Sequence, residues 1–252
     1  MTARVLIVPA AGLGSRLQSP LPKLLVPVAG TPMIDRLLDL YADLAPRTVI
    51  VCNPASRAQV EAHVRRRPEV GLAVQPQPTG MLDAITIGIA AAKPFEPRRV
   101  WITWCDQVGV HPRTLENLAE RCERSPEAPL IFPTVRRRDP YIHLERDPTG
   151  RIVRVLHRRE GDTMPDHGES DMGIFALSAE AAFELLPAYA REVVTGAGTG
   201  ERNFLPFIPW VSRRADVITF PSEEPEEAIG VNTPEELHTV EAYLQRRDEA
   251  RR

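Results

Sequence analysis

The fold is decided by residues 5–23, which read VLIVPAAGLGSRLQSPLPK. Residues 5–8 form a continuous apolar run rich in β-branched side chains, which is typical of a strand buried on both faces of a parallel sheet. The loop that follows such a strand lies at the sheet edge where open α/β folds bind their ligands. Gly12 and Gly14 allow a left-handed backbone and a close approach to a ligand, so successive N–H groups can point at phosphate oxygens. This stretch predicts an α/β fold with a ligand-binding loop after its first strand.

Two positive charges lie in the same loop. Arg16 offers a planar guanidinium and Lys23 a compact ammonium, and both groups bind phosphate. The dinucleotide-binding fingerprint is excluded, because Leu17 stands where a small residue is required and the next strand ends in Asn53 rather than in an acidic residue. A Walker A loop is excluded because no Gly-Lys-Ser/Thr tripeptide occurs. A polyphosphate cradle of another kind is favoured, with an ordinary strand-to-helix turn as the alternative.

Composition limits the classes of protein and partner. The 252 residues suffice for one large α/β domain, which we place at 1–245, followed by a charged tail at 246–252. The net charge of −3, and arginine clusters at 65–67 and 136–138 without interleaved aromatic residues, indicate solvated faces and no nucleic-acid partner. No signal peptide and no membrane-length apolar stretch is visible, so we expect a cytoplasmic protein without a membrane partner. The three cysteines lack a C-x-x-C pattern and predict reduced thiols rather than disulfides or a zinc site.

Strands and helices alternate along the first half of the chain. Residues 48–51 and 72–74 are predicted strands, whereas residues 55–66 and the apolar positions from Met33 onward have helical spacing. A βαβαβ alternation predicts parallel strands with right-handed crossovers. Residues 100–106 predict a buried central strand that ends in a carboxylate.

The pattern changes after residue 134. Residues 141–145 and 152–156 alternate around a turn and predict a β-hairpin. Thr233, Pro234 and Glu236 predict the start of a last helix, as N-cap, first-turn proline and capping-box acid. These signals together predict an α/β protein: a Rossmann-like three-layer αβα sandwich with a mostly parallel mixed sheet and a small β-hairpin.

Four motifs of this sequence match motifs of one enzyme family, and they occur in the same order along the chain. Ala10-Ala11-Gly12-x-Gly14-Ser15-Arg16, with Pro22-Lys23 seven residues after the arginine, resembles the signature of the sugar-1-phosphate nucleotidylyltransferases. The short spacing from Arg16 to Lys23 is most similar to the uridylyltransferase domain of the bacterial bifunctional N-acetylglucosamine-1-phosphate enzyme. The resemblance spans residues 5–237 and implies the nucleotide-diphospho-sugar transferase type of fold, in which the small β-hairpin is a lid over the sugar. It also implies a Mg²⁺-dependent reaction in which a sugar-1-phosphate and a nucleoside triphosphate give a nucleotide-sugar and pyrophosphate.

The resemblance implies a nucleotide site made by the signature loop and the start of a later helix. Its residues are Ala10, Ala11, Gly12, Gly14, Ser15, Gln75, Gly80 and Met81. Gln75 lies five residues before Gly80, as in the family, and its amide carries both a donor and an acceptor for a base. Gln77 is the alternative if the register slips. Met81 stands where the uridylyl enzymes have threonine, which leaves the base open.

A catalytic and metal-binding group is implied as well. The catalytic residues are Arg16 on the β- and γ-phosphates, Lys23 on the α-phosphoryl group and the acceptor phosphate, and Asp106. The implied Mg²⁺ ligands are Asp106 and Asn232, which belongs to the closing motif at 230–232. The alternatives are that Asp106 caps the following helix and that Asn232 lies in a strand-to-helix turn.

Acceptor binding is implied for Tyr141, His157, Asp171 and Glu201. The match is incomplete, because Ile142 replaces a glycine, His157 a glutamate and Asp171 an asparagine of the family pattern. We therefore expect an acceptor other than N-acetylglucosamine-1-phosphate. For Glu201, a simple helix start is the alternative.

The implied partners are a nucleoside triphosphate and a phosphorylated small-molecule acceptor, with a homo-oligomer left open. Two further functions stay open on the same fold. One is a cytidylyl- or guanylyltransferase acting on a non-sugar phosphate. The other is a non-catalytic nucleotide-sugar-binding regulator, which retention of Lys23 and the metal pair disfavours.

Overall fold

A computed structural model describes residues 3–12 and 14–249 of the chain. Its strands are β1 (Arg4–Ala10), β2 (Pro27–Val28), β3 (Thr31–Pro32), β4 (Thr48–Cys52), β5 (Val70–Val74), β6 (Arg99–Thr103), β7 (Leu130–Arg138), β8 (Ile142–Arg146), β9 (Ile152–His157), β10 (His167–Asp171), β11 (Ile174–Ser178) and β12 (Val217–Pro221). Its α-helices are α1 (Met33–Tyr41), α2 (Pro54–Val64), α3 (Met81–Ala92), α4 (Pro112–Arg124), α5 (Leu186–Glu192), α6 (Phe207–Ser212) and α7 (Pro234–Glu249).

Eight strands form one mixed sheet in the order β10-β7-β11-β6-β1-β4-β5, with β12 paired to β7. Strand β1 is parallel to β4 and β6, β4 is parallel to β5, and β12 is parallel to β7. Strand β11 runs antiparallel to β6 and β7, and β10 runs antiparallel to β7. The predicted mixed, mostly parallel sheet is confirmed.

The sheet is buried on both faces. Leu6 and Val8 of β1 belong to an apolar cluster with residues of α1, α2, α4 and α7. Val5 and Ile7 belong to a second cluster with residues of α3, α5 and α6. Because successive side chains of a strand point to opposite faces, the two clusters lie on opposite sides of the sheet. The predicted three-layer αβα sandwich is confirmed.

The carboxyl ends of the parallel strands meet at one edge of the sheet. Ala10, the last residue of β1, pairs with Cys52, the last residue of β4, and Cys52 pairs with Val74 of β5. Strand β6 lies on the other side of β1, where Ile7 pairs with Ile102. The signature loop, the segment around Gln75 and the segment around Asp106 therefore leave the sheet at neighbouring points.

The predicted hairpin forms from β8 and β9, which pair antiparallel with Leu144 opposite Val155. Its turn is closed by Asp147, whose Oδ1 accepts hydrogen bonds from the backbone N–H of Thr149 (2.9 Å) and of Arg151 (3.1 Å). The hairpin is tied to β10 by Ser170 Oγ, which donates to the carbonyl of Ile142 at 2.5 Å.

Several predicted boundaries are wrong. The strand expected to end in Asp106 ends at Thr103, three residues earlier. Residues 169–175 are divided between β10 and β11, because Gly173 turns the chain with φ at 69°. The first helix begins at Met33, directly after β3, which pairs with β2.

The structure also differs from the prediction at the C-terminal tail and at one of the arginine clusters. Helix α7 continues to Glu249, so residues 246–249 are helical rather than a frayed tail, whereas 250–252 lie outside the described residues. Arg247 in that helix donates to the carbonyls of Gly109 and Val110, both at 3.1 Å. Arg137, expected on a solvated face, is half-buried and donates to the carbonyl of Ala228 at 3.0 Å.

In the part of the chain that the structure describes, no helix combines the length and the apolar character needed to cross a bilayer. Cys52, Cys105 and Cys122 are free thiols, as predicted.

Candidate active site

The signature loop turns sharply after β1. Gly14 has φ at 63°, and a Cβ there would approach Lys23 Cβ to 3.0 Å, so the close approach of the two ends of the loop requires glycine. The loop contains two 3₁₀ turns, Ser15–Leu17 and Lys23–Leu25, in which Leu17 and Leu24 are buried in the core. Anchoring of these leucines fixes the backbone on either side of Arg16 and Lys23. The Ser15 side chain lies outside what the structure describes.

Four side chains from three distant segments meet at the edge of the sheet. Lys23 Nζ donates to Asp106 Oδ2 at 2.6 Å and to Asn232 Oδ1 at 2.8 Å. Arg16 Nη2 donates to the same Asn232 oxygen at 3.0 Å. We call Arg16, Lys23, Asp106 and Asn232 the phosphate cluster. The structure thus brings together all of the predicted catalytic and metal-binding residues.

The ion pair in this cluster is largely shielded from solvent, since the side chains of Lys23 and Asp106 are each 13% exposed. Burial alone would lower the pKa of Lys23, but nearby negative charge, chiefly that of Asp106, and the hydrogen bond to Asp106 together outweigh burial and the pKa is raised, so the lysine is an ammonium. Burial raises the pKa of the adjacent Cys105 to about 11, which keeps that residue a neutral thiol and a poor nucleophile.

Backbone contacts hold the two oxygen-bearing segments together. Val231 N donates to the carbonyl of Asp106 at 3.2 Å, and a Cβ on Gly230 would lie only 3.2 Å from Asp106 Oδ1. The predicted capping box forms, because Thr233 N donates to Glu236 Oε2 at 3.0 Å and Glu236 N donates to Thr233 Oγ1 at 3.2 Å. Asn232 is therefore placed by the start of α7.

Asp106 has one oxygen without a partner. Its Oδ2 contacts Lys23, whereas its Oδ1 is buried and forms no hydrogen bond with any described residue. A buried carboxylate oxygen is costly to leave unpaired, so this atom points to a missing ligand.

A cavity of about 120 Å³ adjoins the loop on the α3 side. It is lined by Pro9, Ala11, Gly12, Gln75, Pro78, Gly80, Met81, Ala84 and Glu201. Five of the residues predicted for the nucleotide therefore share one pocket, which we call the base pocket. Gln75 is 5% exposed and Gln77 is exposed, so the structure favours Gln75 over its alternative.

Ala10 lies on the other side of the loop, in a second cavity of about 250 Å³ that also contains Gly12 and Lys23. Asn53 lines this cavity and donates from Nδ2 to the carbonyl of Ala11 at 3.1 Å, while its Oδ1 caps α2 by accepting from Ser56 N at 2.9 Å. Sequence analysis assigned no role to Asn53, although its position at the end of β4 indicates contact with the signature loop.

The residues predicted for the acceptor do not form one group. Tyr141, 40% exposed, and His157 lie together on the hairpin, with ring centroids 5.3 Å apart. Asp171 accepts from the backbone N–H of Gly173 at 2.8 Å, and burial raises its pKa. Glu201 lines the base pocket, beside residues predicted for the nucleotide.

Sequence analysis missed a set of hydrogen bonds, made by the side chain of Glu160, that holds the segment carrying Glu201. The carboxylate of Glu160 accepts from Gly198 N at 2.8 Å, from Thr199 Oγ1 at 2.5 Å and from Asn203 Nδ2 at 2.9 Å. The only sequence signal for this packing is the glycine-rich run at 196–200, which allows the segment to lie close to the turn after β9.

Sequence analysis also assigned no role to Arg202. Its backbone N–H donates to the carbonyl of Thr79 at 2.8 Å, and its carbonyl accepts from Leu82 N at 3.1 Å. Its guanidinium donates to Asp83 and to the carbonyl of Ala190. These contacts require Gly80, whose Cβ would come within 2.5 Å of the Arg202 backbone.

Comparison with known proteins places this geometry in a family. The model of the MobA-like NTP transferase domain matches residues 6–171, well over half of the chain. The bifunctional protein GlmU of Paracoccus denitrificans is 30% identical over 98% of this chain and 54% of its own length, and that of Rhodospirillum rubrum is 28% identical with the same coverage. The chain thus spans about half the length of the curated relatives it matches.

A solved structure shares the fold over its whole length. The structure of CMP:2-keto-3-deoxy-manno-octonic acid synthetase complexed with CTP superimposes with a TM-score of 0.70 and 16% identity, covering 98% of this chain and 100% of that chain. This likeness confirms the fold, and the family match confirms the resemblance derived from the motifs. The chain belongs to the MobA-like NTP transferase domain family.

Proposed function

We propose that the chain is a Mg²⁺-dependent nucleotidylyltransferase that transfers a nucleoside monophosphate from a triphosphate to a phosphorylated, sugar-1-phosphate-like acceptor. The observation that supports this proposal most directly is the phosphate cluster. In it, two cationic side chains of the signature loop contact two oxygen-bearing side chains, Asp106 and Asn232, from distant parts of the chain. An acceptor phosphate oxygen attacks the α-phosphorus, and the bond from the α-phosphorus to the bridging oxygen breaks. Pyrophosphate leaves with the electron pair.

This reaction needs no general base. The second pKa of a phosphate monoester is near 6, so the acceptor is largely a dianion at neutral pH. The barrier comes from bringing two anions together in line, and the protein lowers it by positioning and by neutralising charge. A cluster with an arginine, a lysine and no nucleophilic thiolate fits this requirement.

The two cations have different tasks. Arg16 is exposed and free to rotate toward the outer phosphates, and its planar fork can bind two phosphate oxygens. Lys23 is held at the centre of the cluster by Asp106 and Asn232, where a compact ammonium can face both reacting phosphates. We assign the leaving pyrophosphate to Arg16, and the α-phosphoryl group with the acceptor phosphate to Lys23.

The donor set suits Mg²⁺. Asp106 and Asn232 supply a carboxylate and an amide oxygen, which are ligands that this cation prefers, and Asp106 has the unpaired Oδ1. The described residues contain no cluster of three or more His, Cys, Asp or Glu, so phosphate oxygens and water would complete the coordination shell. When bound, Mg²⁺ would neutralise negative charge on the phosphates.

The acceptor is proposed to differ from N-acetylglucosamine-1-phosphate. Asp171 binds the backbone of Gly173 and has no amide donor, and His157 packs on Tyr141. The residue pattern that binds this sugar in the resembling family is therefore altered at three positions, with Ile142 as the third. We place the reaction in the cytoplasm, where triphosphates are available and where the three free thiols stay reduced.

A pyrophosphate-release screen tests the proposal. Five triphosphates (ATP, CTP, GTP, UTP and dTTP) are combined with a panel of sugar-1-phosphates and other phosphorylated acceptors, with Mg²⁺ and with excess chelator. We expect release with at least one pair, dependent on both substrates and abolished by chelator. Binding of nucleotide-sugars without turnover of any pair would instead support a regulator on the same fold. N-acetylglucosamine-1-phosphate as the best acceptor by kcat/KM would contradict the acceptor assignment.

A further inference from the structure

We propose that the base pocket selects a nucleotide whose base carries an exocyclic amino group, and that Glu201 is the residue that recognises this group. The inference rests on the proposed function, because it names the class of triphosphate for that same site. Cytosine, adenine and guanine carry such an amino group, whereas uracil and thymine present carbonyl oxygens in its place.

The orientation of the Gln75 amide is fixed by its neighbours. One amide atom lies 3.0 Å from the carbonyl of Gly80 and 3.2 Å from Thr79 Oγ1. A carbonyl oxygen only accepts, so the atom facing it must be the NH₂ group. The donor end of Gln75 is therefore used to hold the loop.

The oxygen of Gln75 is left for the ligand. Among the described residues it has no hydrogen-bond donor, and it is not one of the unpaired side-chain atoms that are fully shielded from solvent. Because Gln75 lines the base pocket, this oxygen is its polar contribution there. The residue presents an acceptor to the base rather than a choice of donor and acceptor.

The remaining side chains of the pocket provide one more polar group. Apart from Gln75 and Glu201, the residues that line it are glycine, proline, alanine and Met81. A threonine at position 81, as in the uridylyl enzymes that the chain resembles, would add a hydroxyl donor, but methionine cannot donate. The side-chain polar groups of the pocket are thus both acceptors, and its donors are backbone N–H groups.

This polarity discriminates between bases. A carboxylate beside a base amino group gains a charge-assisted hydrogen bond. Uracil and thymine offer one N–H donor on this edge, flanked by two carbonyl oxygens, so Glu201 and the Gln75 oxygen cannot both be satisfied. The acceptor that is left beside a carbonyl loses solvation without gaining a bond. Glu201 therefore favours amino-bearing bases and opposes the two others.

The position of Glu201 is fixed independently of any ligand. Its carbonyl accepts from Gly196 N at 2.8 Å, and its N–H donates to Thr199 Oγ1 at 3.2 Å. The next residue, Arg202, is paired through its backbone to Thr79 and Leu82 on the other wall of the pocket. Glu201 is thus a built part of the pocket.

The rival partner of Glu201 is Arg159, whose Nη2 lies 3.7 Å from its Oε1. Both side chains are well exposed, at 52% for Arg159 and 39% for Glu201, and exposed ion pairs contribute little. This contact leaves the carboxylate able to accept from a base.

Calorimetric titration of the whole chain with ATP, CTP, GTP, UTP and dTTP, each with Mg²⁺, tests the inference. We expect one amino-bearing triphosphate to bind at least about tenfold more tightly than UTP and dTTP. Glu201→Gln, which can donate as well as accept, should reduce that ratio to below about threefold. Glu116→Gln, a change of the same type at an exposed position of helix α4, should leave the ratio unchanged. Circular dichroism checks that both variants are folded.

The outcomes separate the two proposals. If UTP or dTTP binds most tightly, or if Glu201→Gln keeps the wild-type ratio, the inference is overturned while the nucleotidylyltransferase proposal stands. If none of the five triphosphates binds, the proposed function fails and the inference fails with it.

Discussion

The phosphate cluster and three of the residues predicted for the acceptor, Tyr141, His157 and Asp171, differ in what their side chains contact. In the phosphate cluster, Lys23 contacts Asp106 and Asn232, residues that lie 83 and 209 positions away in the sequence. In the acceptor group, Asp171 contacts the backbone two residues on, and His157 packs on Tyr141 of the same hairpin. One group is assembled by the fold as a whole, and the other consists of local contacts.

The difference fits the tasks that we propose for the two regions. Transfer of a phosphoryl group requires charge at one point, whatever the base or acceptor, so its residues must converge. Recognition of an acceptor depends on shape and on individual hydrogen bonds, which change with the substrate. Matching a family pattern therefore predicts the first region better than the second, and the predictions below test that contrast from the largest effect to the smallest.

Replacing Asp106 should have the largest effect. Asp106→Ala removes the only carboxylate of the phosphate cluster, and we expect kcat to fall on the order of 10³-fold or more. Pyrophosphate release measures the loss, and circular dichroism shows that the fold is intact. Asp43→Ala, at an exposed position after α1, is the matched control. Full activity of the Asp106 variant would remove the metal assignment.

Lys23 should rank next. Lys23→Ala removes the cation that we place between the two reacting phosphates, so their repulsion is no longer neutralised. We expect kcat to fall on the order of 10²- to 10³-fold. Lys23→Arg should restore little, because a planar guanidinium does not fit where a compact ammonium lies. Lys93, the chain's other lysine, is exposed, and Lys93→Ala should match the wild type. A Lys23→Ala enzyme with normal kcat and only a raised KM would mean that this lysine merely attracts substrate.

Arg16 should have a smaller effect. Its guanidinium is exposed and makes one hydrogen bond in the phosphate cluster, so other cations partly replace it. For Arg16→Ala we expect roughly a 10- to 100-fold decrease in kcat together with weaker triphosphate binding, because charge grows on the leaving group. Steady-state kinetics with varied triphosphate separates the two changes. A raised KM with unchanged kcat would assign Arg16 to ground-state binding alone.

Asp171 should have the smallest effect. In Asp171→Asn, the amide oxygen can accept the same bond from Gly173 N, so kcat/KM for the best acceptor should change by less than about threefold. Kinetics with varied acceptor measures this. A decrease as large as that of Lys23→Ala would show that Asp171 contacts the acceptor, and the contrast between the two regions would be lost.

The fold and the phosphate cluster were predictable because their signals are local or lie at strand ends. The apolar run at 5–8, the glycines of the loop and the capping box at Thr233 each specify their own conformation, and the parallel topology then brings the strand ends together. Even there, Asp106 lies three residues beyond its strand, because β6 ends at Thr103.

The position of Glu201 could not be predicted in this way. It depends on backbone hydrogen bonds of Arg202 with Thr79 and Leu82, and on the hydrogen bonds that the Glu160 side chain accepts. Glu160 lies 39 residues from Thr199, Arg202 lies more than 100 residues from Thr79 and Leu82, and no periodicity or cap marks these partners. Long-range contacts between irregular segments leave no local pattern in a sequence.

The contacts of Lys23 have a thermodynamic consequence. Its ammonium contacts Asp106 Oδ2 and Asn232 Oδ1, and therefore contacts both residues proposed for Mg²⁺. A divalent cation bound to Asn232 Oδ1 would compete with the lysine for that oxygen. A triphosphate offers the displaced ammonium new anionic partners and offers the metal new oxygens, so each ligand makes the other easier to bind. By linkage, the factor by which the metal tightens the triphosphate equals the factor by which the triphosphate tightens the metal. We therefore expect metal and nucleotide to enter this site as a cooperative pair, with a single lysine as the exchangeable counter-ion that couples them.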